Sequence, residues 1–418
     1  MALTRANAPQ VMGAVLASAL ALAGATAYRH ASNSRSAQAS RAGSVLATIP
    51  FEIVVGHIFL KVTVKSSGPL WFILDTGSPI AILDMARAKQ LGLKPRGSVD
   101  VDGAGEASQK GALIQGCPYA IPGLAGFSGS VTLAVPLDIL RPRLGHEVDG
   151  ILGADFINRF VVEVDYLSRT ITLYGPEEYR YSGSGESIPF TFNQAGHPVV
   201  KTELVQPGRP PIPGDFVVDM GSGAALILNE RFVEREHILA PGQPAVRMML
   251  GGGIGGPVGG LVGRVSALKI GTLVVDRPET LFSTDEKGVL ASTALFQGNI
   301  GFRILRKFKV ILDYSNMRII LEPNSRFKEP MEFVSGFTVV SDAVNYTLFH
   351  VDYVASGSPA AEAGIQPGDV IAAVDGKPAS DLTLTAIDEV LAKSGLHELK
   401  IRRGLETLRV KVNLRPLI

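Results

Sequence analysis

Three stretches in the first half of this chain return, in the same order, in the second. Ile49-Pro-Phe51 recurs as Ile188-Pro-Phe190, an offset of 139, and Phe72-Ile-Leu-Asp75-Thr-Gly-Ser78 recurs as Val217-Val218-Asp219-Met-Gly-Ser222, which puts Asp219 144 residues after Asp75. Leu152-Gly153 through Asp165-Tyr166 recurs as Ile300-Gly301 through Asp313-Tyr314 at an offset of 148, with Phe160 matched by Phe308. The offset grows slowly, as it does when the second copy carries small insertions. A duplication of this kind predicts two homologous lobes across a pseudo-twofold interface, with equivalent residues opposite one another. Asp75 and Asp219 are equivalent residues.

Both units read as all-β, roughly 130 to 140 residues each. Short alternating runs such as Phe160-Val-Val-Glu-Val-Asp165 and Ile311-Leu-Asp-Tyr314 are bounded by Gly, Pro and Ser. Short helices are expected at Asp84 to Leu91 and Asn229 to His237. The chain has 418 residues, 46% hydrophobic and 19% charged, with 46 Gly and 26 Pro, a composition suited to strands joined by many turns. A net charge of +1 argues against bulk attraction to nucleic acid or anionic membranes. Cys117 is the single cysteine, so no intrachain disulfide or cysteine metal cluster can form, and a buried, small apolar role is expected for it. The seven histidines show no metal-ligand spacing. Gly251, Gly253 and Gly256 fit G-x-G-x-x-G, but proline and further glycines prevent the helix that nucleotide binding needs. No G-x-S-x-G elbow is present.

Arg5 precedes an uncharged stretch, Val11 to Tyr28, ending in Ala25-Thr26-Ala27. This pattern predicts a secretory signal peptide over 1–28, the alternative being an uncleaved membrane anchor. Either places the folded part outside the cytoplasm. Residues 29–46 read as a linker.

An apolar run ending in Asp-x-Gly predicts a buried strand opening into a tight turn. Two such turns facing each other would hold two carboxylates within hydrogen-bond distance. They cannot both ionise, so they share one proton. The ionised partner can deprotonate a water between them while the protonated one polarises the carbonyl under attack. That is hydrolysis without a metal or covalent intermediate, and no cofactor is expected. Gly77 and Gly221 are expected to allow the turn and donate amide hydrogen bonds to the carboxylates. Ser78 and Ser222 are expected either to donate to the outer carboxylate oxygens or simply to form the turns. Asp165 and Asp313 read as turn acids.

Asp75-Thr76-Gly77-Ser78, Ile151-Leu152-Gly153 and Asn299-Ile300-Gly301 resemble the aspartic peptidases of the retropepsin and pepsin type, over roughly residues 47 to 325. The resemblance implies two β-barrel lobes with a substrate cleft between them and Asp75 and Asp219 as the catalytic pair. It also implies glycines, Gly153 and Gly301, packed behind the catalytic turns. Hairpin flaps over a polypeptide substrate are implied too. The candidate segments hold Gly103 and Gly105 in the first lobe and Gly253 and Gly255 in the second, with plain surface loops as the alternative. In one respect the chain departs from the pattern. Met220 stands where the family has threonine or serine, so the hydroxyl lattice linking the two turns keeps only the Thr76 half. A non-catalytic exported peptide-binding protein that retains the cleft is therefore the competing reading.

From about Ser335 the sequence changes style. Val354-Ala-Ser-Gly-Ser358 through Val374-Asp375-Gly376 resembles PDZ domains of bacterial proteases. Ser358 is placed to cap a short helix that Gly364 ends. A further helix over Ala386 to Lys393 and two closing strands complete the domain. The resemblance implies capture of a peptide or carboxyl-terminal ligand by strand addition, with Gly336, Phe337 and Thr338 as the candidate loop. A structural prop or dimer contact is the other reading of this domain. The expected organisation is thus a mainly β chain with lobe 1 over 47–178, lobe 2 over 187–325 and an α+β PDZ domain over 333–418.

Overall fold

Leu70–Leu74 is a buried strand that delivers its chain end to the turn at Asp75. In the computed structural model, which describes residues 45–291 and 294–418, this strand runs parallel to Gly150–Leu152. Gly150–Leu152 is antiparallel to Ile82–Asp84, which in turn is parallel to Leu124–Val135. The second half repeats the sequence of pairings: Ile212–Val218 is parallel to Gly298–Ile300, then Leu226–Leu228 antiparallel, then Glu279–Ser283 parallel. The duplication read from the sequence is thus a duplication of strand topology. Register matches as well, with Ile73 opposite Ile151 and Val217 opposite Asn299.

The halves are joined by an antiparallel run of strands. Val45–Pro50, Thr170–Tyr174 and Val161–Asp165 come from the first half, and Phe308–Asp313, Arg318–Pro323 and Glu186–Phe192 from the second. The central pairing sets Val164 against Val310, so backbone hydrogen bonds cross the lobe boundary. The alternation in these strands places Val162, Val164, Val310 and Leu312 in one apolar core that both halves share. The linker expected to reach residue 46 ends sooner, because the first strand already begins at Val45, which pairs with Tyr174. The expected leader and the rest of that linker lie outside the described residues.

Short helices sit where the turns predict them. Asp84 accepts the Arg87 amide and caps Met85–Gln90, and Glu230–Arg235 is the counterpart in the second half. Asp165 accepts the amides of Leu167 and Ser168, and Asp313 is bound by Ser315, Asn316 and Arg318. Both are turn acids, as expected. Cys117 is fully buried.

The C-terminal region has its own core, from Val334 to Leu414. Its sheet runs Phe337–Ser341, Phe349–Val354, Val370–Val374, Gly395–Arg403, Glu406–Leu414. Phe337–Ser341 is an edge strand, lying beside the helix Leu384–Leu391 that Thr383 caps. That helix starts two residues before the expected Ala386, because the Thr383 side chain accepts the Ala386 amide. Ser358 caps Pro359–Glu362 as predicted, and Gly364 follows at φ 79°. The domain is seated on both lobes. The Val55 amide donates to Thr385 Oγ1 at 3.0 Å, and the Tyr353 hydroxyl donates to the Arg247 carbonyl at 3.1 Å. Among the described residues no helix is long and apolar enough to cross a membrane.

Candidate active site

Each catalytic turn is pinned from behind in the same way. The Asp75 amide donates to the Leu152 carbonyl and the Asp219 amide to the Ile300 carbonyl, both at 2.9 Å. One residue on, Gly153 and Gly301 pack against the turns so closely that a side chain would collide. A Cβ on Gly153 would lie 2.4 Å from the Ser78 carbonyl oxygen, and one on Gly301 would lie 2.8 Å from that of Ser222. The roles expected for these two glycines hold.

Gly77 and Gly221 are needed for a different reason from turn formation. Neither adopts a positive φ. Each lies against the carboxyl of the opposite lobe: a Cβ on Gly77 would sit 2.9 Å from Asp219 Oδ1, and one on Gly221 2.3 Å from Asp75 Cγ. Their amides donate as expected, Gly77 to Asp75 Oδ1 at 2.7 Å and Gly221 to Asp219 Oδ1 at 2.8 Å. The two carboxyls are in hydrogen-bonding contact with one another. Burial, reinforced by the charge of Asp219, raises the Asp75 pKa well above the usual carboxyl range. The shared-proton geometry is therefore present.

Thr76 ties the lobes together. It is fully buried, donates its hydroxyl to the Val218 carbonyl at 2.6 Å and accepts the Met220 amide at 2.9 Å. Met220 returns nothing equivalent; its thioether fills the shared core instead.

Ser78 and Ser222 do not hold the outer carboxylate oxygens. Ser78 Oγ donates to the Ile80 carbonyl at 2.8 Å, stabilising its own turn. Ser222 Oγ lies against Gly301. The donor to an outer oxygen is Asn299, whose Nδ2 lies 2.5 Å from Asp219 Oδ2. The sequence offered Asn299 only as an apolar-type position before Gly301. Its equivalent in the first half is Ile151, one strand register from Asp75.

Two histidines also flank the pair. His57 contacts the Gly221 carbonyl across the lobe boundary, and His197 contacts that of Gly77; each feels the charge of Asp219. Burial lowers both pKa values, so both are neutral at pH 7. They are 140 residues apart, within the range of offsets that defines the repeat, and that spacing was the signal that could have found them.

The flap segments are hairpins whose tips meet. Arg96–Asp102 pairs with Ser108–Ile121, and Val246–Gly253 with Gly256–Arg264. The Gly255 amide donates to the Ala104 carbonyl and the Ala107 amide to the Gly255 carbonyl, both at 2.9 Å. Gly105, at φ 96°, leaves no room for a side chain, since a Cβ would lie 2.5 Å from Gly255. Gly103 and Gly253 also face the opposite tip, where a Cβ would lie 3.0 Å from Ile254 and 2.7 Å from Ala104 respectively. Beneath this roof lies a cavity of about 2020 Å³ that reaches from Asp75 and Asp219 to Phe337 and Thr338 of the edge strand. Of the C-terminal loop, Gly336 has φ 67°, Phe337 is buried in its domain core, and Thr338 Oγ1 is buried without a partner.

Asp75 and Asp219 thus lie on equivalent turns, with their carboxyls in contact, in one roofed cavity. The family model of the aspartyl proteases matches residues 60–156, which hold Asp75, its turn and Gly153. The PDZ domain model matches residues 350–403. The chain is therefore a mainly β protein carrying an aspartyl protease domain followed by a C-terminal PDZ domain.

Proposed function

We propose that this protein is an aspartic endopeptidase in which Asp75 and Asp219 activate a water for attack on a peptide bond. The observation that carries the reading is the contact of the pair: two buried carboxyls against one another, each held by the amide of its own turn glycine. One of the pair deprotonates the water and the other protonates the carbonyl oxygen; the proton then passes to the leaving amine as the C–N bond breaks. A thioether in place of a hydroxyl at Met220 does not argue for an inactive relative. Thr76 alone makes two cross-lobe bonds, and the continuous strand run already joins the lobes.

The roof and the cavity size fit an extended polypeptide as substrate. In this reading the PDZ domain supplies a second peptide contact at the free edge of Phe337–Ser341. The N-terminal leader reading makes the peptidase an exported one. The test is cleavage of unfolded casein between about pH 3 and 8, with Asp75→Asn and Asp219→Asn as controls. Wild-type cleavage with a loss of about 10³-fold or more in each variant is expected. Equal silence of all three proteins would leave the peptide-binding alternative standing.

A further inference from the structure

The hydrogen-bond donors around the two carboxyls are unequal. Asp219 receives two N–H groups, Gly221 N at Oδ1 and Asn299 Nδ2 at Oδ2. Asp75 receives main-chain amides alone, Gly77 N at Oδ1 with the Ser78 amide as a weaker second, and no side-chain donor. The position that faces Asp75 as Asn299 faces Asp219 is occupied by Ile151, which packs with Ile73 and Ile82 and has no donor. Asn299 is 5% exposed, and its Oδ1 has no protein partner. The Asp219 contact is thus the hydrogen bond the structure gives its buried amide.

We propose that Asn299 is a positioning residue that makes the catalytic pair permanently unequal, holding the negative charge on Asp219 and leaving the shared proton on Asp75. A carboxylate gains from each N–H donated to it, whereas a protonated carboxyl gains less, so the better-solvated partner keeps the charge. Roles follow. Asp219 takes a proton from the water as the new C–O bond forms, and Asp75 gives its proton to the carbonyl oxygen. In the second half of the reaction Asp219 returns its proton to the amine nitrogen as the C–N bond breaks. Asp75 recovers one from the tetrahedral hydroxyl.

The other ionisable groups facing the pair do not produce this bias. His57 and His197 both feel the charge of Asp219 but are neutral above their lowered pKa values, His57 against the Gly221 carbonyl and His197 against that of Gly77. Tyr314, buried, feels both carboxyls and stays protonated. Among the described residues, the causes that act on the Asp75 carboxyl are burial, Asp219 and the Gly77 and Ser78 amides, with no lysine or arginine among them.

This inference rests on the peptidase reading but can be tested without it. Two variants separate donation from packing: Asn299→Ile copies the first half, and Asn299→Leu keeps nearly the same shape without an amide donor or a new charge. Carboxyl ¹³C titration of the full chain, labelled at aspartate, reads the two macroscopic steps of the pair directly. The pH profile of casein cleavage reads them again through its acid and basic limbs. In both variants the first step, and with it the acid limb, is expected to move up by about one to two pH units. Unmoved steps in two folded variants would overturn the proposal, even if cleavage slowed. A wild-type protein that cleaves nothing but titrates in two separated steps, the first rising in both variants, would keep the proposal and sink the peptidase reading.

Discussion

The two catalytic turns have the same main chain and different side chains, and the differences fall into separate kinds of work. At the position after the aspartate, the first turn has Thr76, which crosses to the second lobe and makes two buried hydrogen bonds, while the second has Met220, which fills core. On the strand behind, the first half has Ile151 in an apolar cluster and the second has Asn299 on the carboxylate. The first lobe therefore supplies the cross-lobe tie, and the second supplies a side-chain donor to its own carboxyl. Duplication fixes where the carboxyls are; later divergence decides what each one does.

Substituting the paired glycines should break this symmetry most severely. A methyl at Gly221 would enter the Asp75 carboxyl at 2.3 Å, whereas at Gly77 it would meet the tip of Asp219 at 2.9 Å. Gly221→Ala is expected to cut kcat on casein by about 10²-fold or more, and Gly77→Ala by clearly less. Equal losses would show that both carboxyls can retreat alike.

Next comes the tie itself. Thr76→Val strands the Val218 carbonyl and the Met220 amide in the core, and should lower stability in urea by about 2–4 kcal/mol. The reciprocal change, Met220→Thr, restores a hydroxyl worth about 1 kcal/mol but empties buried volume worth about 2 kcal/mol. A net loss of about 1 kcal/mol is expected. A gain would mean that the core closes around the smaller residue and that the second bond forms.

The histidines and Asp75 should pull the stability of the fold in opposite directions with pH. His57 and His197 have lowered pKa values, so the stability they allow is present above about pH 6.5 and is lost as the pH falls and they must charge. Asp75 has a raised pKa, so its contribution is present below the ordinary carboxyl range and is lost as the pH rises through its folded value. Thermal melts of a His57→Asn, His197→Asn double variant should therefore flatten the acid side, and those of Asp75→Asn the neutral side. A wild-type acid slope surviving in the histidine variant would assign it to other groups.

The smallest effect is expected at the seat of the PDZ domain. Arg143 and Asp352 form a 3.3 Å ion pair that is partly exposed, and Arg143→Ala should change stability by about 0.5 kcal/mol or less. A larger change measured by urea unfolding would show that the domain is held more tightly than its polar contacts indicate.

Much of this was legible in the residues. The repeat gave the two halves, the strands and the paired aspartates, because hydrophobic alternation and Asp-x-Gly turns leave direct marks on a chain. Gly153 and Gly301 were readable because only glycine survives a 2.4–2.8 Å approach to a carbonyl. What stayed hidden depends on contacts between distant residues. Ser78 and Ser222 were open between serving the carboxylates and forming the turns, and local geometry settles Ser78 as a turn former, bonded to the Ile80 carbonyl 2.8 Å away. Asn299 looked like a substitute for an apolar residue because nothing in the sequence shows that it faces Asp219. His57 and His197 passed as scattered because a metal-site search asks for short spacings, and theirs spans the duplication.

The hairpin tips have a further consequence. Two main-chain hydrogen bonds, Gly255 N to Ala104 O and Ala107 N to Gly255 O, latch one hairpin to the other. At about 1 kcal/mol each, releasing the latch lifts the molecule by about 2 kcal/mol, a state occupied roughly one thirtieth of the time. In the peptidase reading, glycine-rich tips would thus make the arch a turnstile more than a wall, admitting a chain at thermal cost and shutting again behind it.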